Sequence, residues 1–304
     1  MASIPAPSGE VDMATPNGRL LAQIALWADE EPAETIVDRY DRDGYVIFPA
    51  VLTSEEIDDI RSAVAPHFIK SGRNPFEGYQ TNRVYSLLAK APEVFANMAT
   101  HPLALAFAER DLGESCLLSA LLAINSRPGE TPQAWHHDDG HITVPLPRPA
   151  FGVSAFWTID ETTETNGATE LIPGSHLWSD SAGHEVQSTA DLANDTLAEK
   201  LRAQGREFAI TKVALPAGSL MIIKGTLLHR GGANQSQTSR LIITPQYAPG
   251  WARQLENMLL AVPPEIAKTL PRRARELIGY DIHGAFMGFV DGVHPDRTLN
   301  IHKS

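Results

Sequence analysis

Behind a polar leader, apolar positions recur at helical spacing. In "RLLAQIALWADEE", Leu20, Leu21, Ile24 and Trp27 fall on one side of a helix. "GYVIFPAVL" is a short apolar run closed by proline and predicts a strand. "LTSEEIDDIRSAVAPHF" opens a helix. Thr53 and Glu56 have the spacing of a reciprocal capping box, acids fill the first turn, and Ile57, Ile60 and Val64 form the stripe to be buried. "HPLALAFAERDLG" predicts another helix, with Pro102 near its start and Gly113 at its stop. After Leu112 the texture changes. Short runs of Val, Ile, Leu, Trp and Thr alternate with Gly, Pro and Asn in "SCLLSALLAINSRPG", "AWHHDDGHITV", "GVSAFWTID", "TELIPGS", "FAITKVALPAG", "SLMIIKGTLLH" and "SRLIITPQYAP". Many short strands between turn signals predict a sheet sandwich or barrel. "ADLANDTLAEKLRAQG" reads as a helical insert, and helices return in "WARQLENMLLAV" and "PPEIAKTLPRRARELIG".

The expected organisation is a mostly β core with flanking helices. Residues 1–18 form a loose leader and 19–304 one domain. Within that domain the β core covers about 114–250, the insert about 188–205, and C-terminal helices with a lid segment 251–304. A chain of 304 residues that is 43% hydrophobic can bury a large core. The net charge of -12 argues against a nucleic-acid groove or an anionic membrane surface, but leaves room for a small anion held by a local cation. The single cysteine, Cys116, sits in an apolar run and reads as a small buried hydrophobe. No apolar run approaches the ~20 residues of a membrane span. The N-terminus lacks the basic-then-apolar order of a secretory signal. These features describe a soluble, cytoplasmic protein with a small-molecule partner; a homodimer is left open.

One stretch concentrates chemistry. "QAWHHDDGH" places three histidines and two acids within nine residues. On a strand, residues two apart share a face, so His136 with Asp138, or His137 with Asp139, present an imidazole and a carboxylate together. Two ligands are too few for a metal. His229, in "IIKGTLLHRGGAN", ends a strand-like run 93 residues beyond His136 and is the best third ligand, with His141 as an alternative. Two histidines and one carboxylate with open positions are the donor set of non-haem Fe(II) oxygenases. Zinc could use the same set in a hydrolase. A non-catalytic binding protein on the same fold is the third reading.

The flanking segments resemble the phytanoyl-CoA dioxygenase family of Fe(II)/2-oxoglutarate-dependent oxygenases, in the branch that acts on secondary metabolites. "DRDGYVIFPAVLTSEEIDDIR" resembles its entry segment and "QAWHHDD" its first metal motif. "NGATELIPGSHLW" resembles its Asn-Gly…Pro-Gly-Ser-His segment, and "LLHRGGANQSQTSRLIITPQYAPGW" its distal-histidine motif with a following arginine strand. "GYDIHGAFMGFVDGVHPDR" resembles a C-terminal segment of that branch. The likeness runs from about Tyr40 to the end.

The resemblance implies a double-stranded β-helix (jelly roll, cupin-like) core. It also implies that His136, Asp138 and His229 hold Fe(II), with His137 and Asp139 on the opposite face. Arg240 is implied as the cation for the far carboxylate of the co-substrate 2-oxoglutarate, with Thr169 and Gln133 as hydrogen-bonding partners. The implied reaction consumes O₂, releases succinate and CO₂, and hydroxylates, desaturates or rearranges at an unactivated C–H position. Halogenating relatives lack the ligand carboxylate, whereas Asp138 is present here. The substrate is expected to be lipophilic, bounded by about 74–88, 178–206 and 280–294, with Tyr79, Arg83, Tyr85, Trp157, Phe286 and Met287 as pocket candidates. His176 is a further residue to place, not a ligand.

Overall fold

A computed structural model describes residues 12–28, 30–178 and 208–300. Most of the leader and the insert expected at about 188–205 lie outside the described residues. The remainder is a jelly roll wrapped by helices. Strands β1 (Tyr45–Phe48), β2 (Thr81–Val84), β3 (Leu117–Ser126), β4 (Val153–Thr158), β7 (Leu220–Lys224) and β9 (Arg240–Ala248) form one sheet in the order β1-β7-β4-β9-β3-β2. Strands β5 (Thr169–Leu171), β6 (Thr211–Lys212) and β8 (His229–Gly231) form a smaller sheet in the order β6-β5-β8. Every pairing is antiparallel.

The large sheet is buried on both faces, so its strands read as nearly continuous apolar runs. One face carries Leu118, Leu121, Val153, Ala155, Trp157, Leu241 and Ile243 into the main core. Helices α1 (Pro16–Ala25), α2 (Ala33–Asp43), α3 (Ser54–Val64), α5 (Pro92–Ala99) and α6 (Pro102–Leu112) contribute to that core, as does the short α4 (Leu87–Lys90). The other face sends Phe156, Met221, Ile223 and Ile242 against Leu171 of the small sheet and Val213 just past β6. An irregularity between Leu118 and Ala120 resets the alternation, which is why Leu118 and Leu121, three apart, share the outer face.

Local sequence signals account for much of this. The capping box forms: the Thr53 hydroxyl accepts from the Glu56 N–H at 3.2 Å, and the Thr53 N–H donates to the Glu56 carboxylate at 2.8 Å. The first helix ends at Ala25, so Trp27 lies beyond it, 38% exposed, rather than on its buried side. "WARQLENMLLAV" is helical only over α7 (Met258–Ala261). "PPEIAKTLPRRARELIG" gives two short helices, α8 (Pro264–Ala267) and α9 (Arg272–Ile278), split by Pro271.

His101 sits just before α6 with its ring edge-on to Trp157 at 4.8 Å and tilted against Trp27 at 5.8 Å. Burial pushes its pKa down to about 4. The unfolded chain protonates His101 near the ordinary value of ~6.5, so the neutral packed ring contributes its full stability above that pH. The contribution is lost as pH falls from ~6.5 through about 4. His101→Phe should therefore show a smaller fall in melting temperature over that window than the unaltered protein. Identical pH profiles would show that the ring is not protonated on unfolding there.

Candidate metal centre

His136 does not lie in a strand. It forms an isolated antiparallel bridge with His229: the His136 N–H donates to the His229 carbonyl at 3.0 Å, and the reverse bond is 3.1 Å. The Gln133 N–H continues the pairing to the Gly231 carbonyl at 2.9 Å. The segment thus lies along β8 as a partial extra strand of the small sheet. Asp138 follows in a turn, held where the Asp139 N–H donates to the Gly225 carbonyl at 3.2 Å and the Gly140 N–H to the His137 carbonyl at 3.0 Å.

Main-chain pairing therefore brings distant residues together, and their donor atoms converge. The Asp138 Oδ1 lies 3.7 Å from the His136 Nε2 and 3.6 Å from the His229 Nε2, and one ligand atom from each residue falls within 4.8 Å of the others. The His136 Nδ1 is 2.8 Å from the Ala134 carbonyl, and the His229 Nδ1 is 3.0 Å from the Leu227 carbonyl. A carbonyl only accepts, so Nδ1 carries a hydrogen in both rings and Nε2 is the atom each ring turns toward Asp138. Burial, with the neighbouring His229 adding to it, pushes His136 down to about 3, so its ring stays neutral. Burial works against the Asp138 carboxylate, but His229, His136 and the Ser154 hydroxyl outweigh it and hold its pKa below the usual value. The second oxygen, Oδ2, accepts from the Ser154 hydroxyl and from the Gln246 amide at 3.3 Å, which leaves Oδ1 facing the imidazoles.

These groups open onto a cavity of about 730 Å³ between the two sheets. Arg240 begins β9 at the cavity wall and is 3% exposed. It donates to the Gly167 carbonyl, while its Nε and Nη1 have no partner among the described residues. Burial, then the like charge of Arg83, lowers its pKa to about 10. Arg83 lines the same cavity and donates to the Glu77 carbonyl at 2.8 Å and the Phe76 carbonyl at 3.4 Å. Burial depresses its pKa too, and no carboxylate among the described residues lies within salt-bridge distance of it. Gln133 accepts from the Gly231 N–H at 2.9 Å and donates to the Phe76 carbonyl at 2.8 Å. Thr169, on β5 opposite Gly231, is buried and lines the cavity, as does the half-exposed Tyr85.

Four expected pocket residues lie elsewhere. Trp157 is fully buried on the helix-facing side of β4, because the opposite side carries Phe156, which lines the cavity, and Ser154, which reaches Asp138. Tyr79, Phe286 and Met287 are exposed and do not line the cavity. The 280–293 segment instead closes on itself through His283–Met287 and Val290–Val293 bridges, and the His283 Nδ1 meets the Ser115 hydroxyl at 2.6 Å. His176 bonds the Asp41 carbonyl at 2.9 Å, and His141 is exposed; neither joins the three converging donors. Asp139 faces away, buried in an ion pair with Arg148 at 2.7 Å and accepting from the Phe151 N–H at 2.9 Å.

Sequence reading missed Ser154 and Gln246 as the groups that orient Asp138. The signal was parity: Gln246 stands six residues from Arg240 and so shares its strand face, and Ser154 stands two from Phe156. Phe76 was also missed; its ring sits edge-on to His136 at 4.9 Å.

Comparison with known proteins decides the family. The profile of the phytanoyl-CoA dioxygenase (PhyH) family matches residues 40–242, most of the chain and all three converging donors. The chain belongs to the phytanoyl-CoA dioxygenase family. Among similar proteins, Dioxygenase af480 of Aspergillus fumigatus is 29% identical over 255 residues, covering 79% of this chain and 76% of its own. Dioxygenase cnsJ of Penicillium expansum is 24% identical over 294 residues, covering 88% and 82%. The fold matches two solved enzymes from nogalamycin biosynthesis. The epimerase SnoN gives a TM-score of 0.57 at 24% identity, covering 72% of this chain and 84% of that one. The carbocyclase SnoK gives 0.56 at 21%, covering 71% and 83%. Both are described as non-haem α-ketoglutarate-dependent, and SnoN has been solved with Fe³⁺, α-ketoglutarate and nogalamycin RO. This phytanoyl-CoA dioxygenase family member is an oxygenase of the 2-oxoglutarate-dependent non-haem iron class. Among its described residues no helix is long and apolar enough to cross a membrane.

Proposed function

We propose that the protein oxidises an unactivated C–H position of a small organic substrate, with hydroxylation as the primary outcome. His136, Asp138 and His229 would hold ferrous iron, and Arg240, Thr169 and Gln133 would hold 2-oxoglutarate. When bound, iron and co-substrate supply the O₂-dependent oxidation and the decarboxylation to succinate and CO₂. The observation that carries the reading is the pairing of three converging donors with an orphaned, buried guanidinium in one cavity. An unpaired buried cation is costly, and a carboxylate matches its planar fork. A second, half-buried guanidinium, Arg83, suits a co-substrate with two anionic ends.

The protein's own share is preorganisation. Carbonyls of Ala134 and Leu227 fix both tautomers, and Ser154 and Gln246 fix the carboxylate. The dioxygenase names of the fungal relatives support the reaction class. Nothing favours hydrolysis, which has no use for Arg240, or a purely binding role, which would not need both Nε2 atoms gathered within 3.7 Å of one Asp138 oxygen. Anaerobic addition of Fe(II) and 2-oxoglutarate should produce a weak visible charge-transfer band. Its absence with iron in excess would defeat the proposal.

A further inference from the structure

Strand register divides the cavity into two ends. At one, Arg240 stands opposite Ser126 and Arg83 opposite Ile124, with Thr169 and Gln133 close by on the small-sheet side. This is the end assigned above to the co-substrate. At the other, Thr244 stands opposite Leu122 and Gln246 opposite Ala120. Leu255 and Glu256 close that end, pinned there because their N–H groups donate to the Ser119 hydroxyl at 2.9 Å and the Ser119 carbonyl at 2.8 Å.

The second end carries polar groups that the co-substrate does not use. Thr244 is 1% exposed, and its hydroxyl has no partner among the described residues. It sits in the middle of a strand, where no carbonyl of a preceding helical turn is available to accept its hydrogen. Such a hydroxyl costs stability until a water or a ligand in the cavity satisfies it. Gln246 has committed only one donor, to Asp138. The Glu256 carboxylate accepts from the Ser86 N–H and hydroxyl, and no Lys, Arg or His among the described residues lies within salt-bridge distance of it.

Charge narrows the occupant. Iron exceeds the Asp138 charge by one, and Arg240 and Arg83 add two more positive charges. The 2-oxoglutarate dianion cancels two of these three, and Glu256 cancels the last. Of the other charged groups at the mouth, Arg73 is paired with Glu77 and Lys70 is exposed to solvent. An uncharged substrate completes this cavity; an acid places a second anion beside Glu256. Leu122, Phe156, Ile242 and Leu255 supply an apolar wall for its body.

We infer that Thr244, Gln246 and Glu256 form the substrate-recognition strip. The substrate is an uncharged molecule with a hydrocarbon body and at least one hydroxyl or carbonyl oxygen, not a free acid or a phosphate-bearing ester. This rests on the co-substrate occupying the Arg240 end.

The test is calorimetric titration of the Zn(II)- and 2-oxoglutarate-loaded protein with 1-adamantanol and 1-adamantanecarboxylate, a matched pair of cage probes that differ in charge. The alcohol should bind saturably and the carboxylate about tenfold more weakly. Glu256→Gln should bring the two within about threefold. Thr244→Val should weaken the alcohol by about fivefold without lowering the melting temperature of the unloaded protein, because the lost hydroxyl has no partner there. Equal binding of acid and alcohol, no saturable binding of the alcohol, an unchanged ranking in Glu256→Gln, or a lower melting temperature in Thr244→Val would each overturn the inference. Failure of the co-substrate assignment would appear separately, as no charge-transfer band and no 2-oxoglutarate binding before any probe is added.

Discussion

Asp138→Ala is expected to abolish turnover and iron retention while leaving a folded protein; Asp139→Ala is expected to do the opposite, losing stability first. The two acids are adjacent, yet their surroundings differ in kind. Asp138 presents Oδ1 to two imidazoles, and its removal takes away one of three donors. Asp139 is 1% exposed and paired with a buried Arg148 on the other side of the turn. Removing one member of a buried ion pair strands the other and costs roughly 3–5 kcal/mol. The Phe151 N–H would lose its acceptor as well. Metal content by elemental analysis and melting temperature separate the two outcomes. If Asp139→Ala lost iron at an unchanged melting temperature while Asp138→Ala kept it, the wrong face of the turn would have been assigned to the metal.

Arg240→Ala should weaken 2-oxoglutarate binding about a hundredfold, the scale of ~3 kcal/mol lost when one partner of a desolvated charge pair is truncated. The unloaded protein should show little or no loss of melting temperature, because its guanidinium is buried with two nitrogens unsatisfied and a like charge, Arg83, nearby. In the unaltered protein, co-substrate at about a hundred times its dissociation constant should add about 2.7 kcal/mol of stability, and this upshift should vanish in the variant. An unchanged apparent affinity would remove Arg240 from the co-substrate site.

What the sequence disclosed and what it hid divide along a physical line. The capping box of α3 and the Pro102 start and Gly113 stop of α6 are local, and each appears as read; of the strands expected after Leu112 all form but the one at "AWHHDDGHITV", which makes only an isolated bridge. The pattern of His136, Asp138 and His229 was legible because ligand chemistry restricts residue type. Their backbone setting was not: the first segment is held by a single bridge to residues far along the chain, not by a strand of its own. "WARQLENM" has helical composition, yet its backbone is drawn off by Ser119, and Gln254 donates to the Leu118 carbonyl at 2.7 Å. Tertiary hydrogen bonds there outweigh propensity. Trp157 was misplaced because the large sheet is apolar on both faces, so alternation along β4 shows which residues share a side but not which side meets the cavity. Arg83 as a second cation on the cavity wall needed the β2–β3 register, which no single segment encodes.

The reciprocal hydrogen bonds between the backbones of His136 and His229 have a practical corollary. Stitching the two rings together through the main chain makes their separation a property of the polypeptide, independent of whatever ion sits between them. Stripping with a chelator should leave an intact receptacle that accepts fresh iron, or cobalt and manganese as spectroscopic stand-ins, on simple mixing, with no refolding cycle.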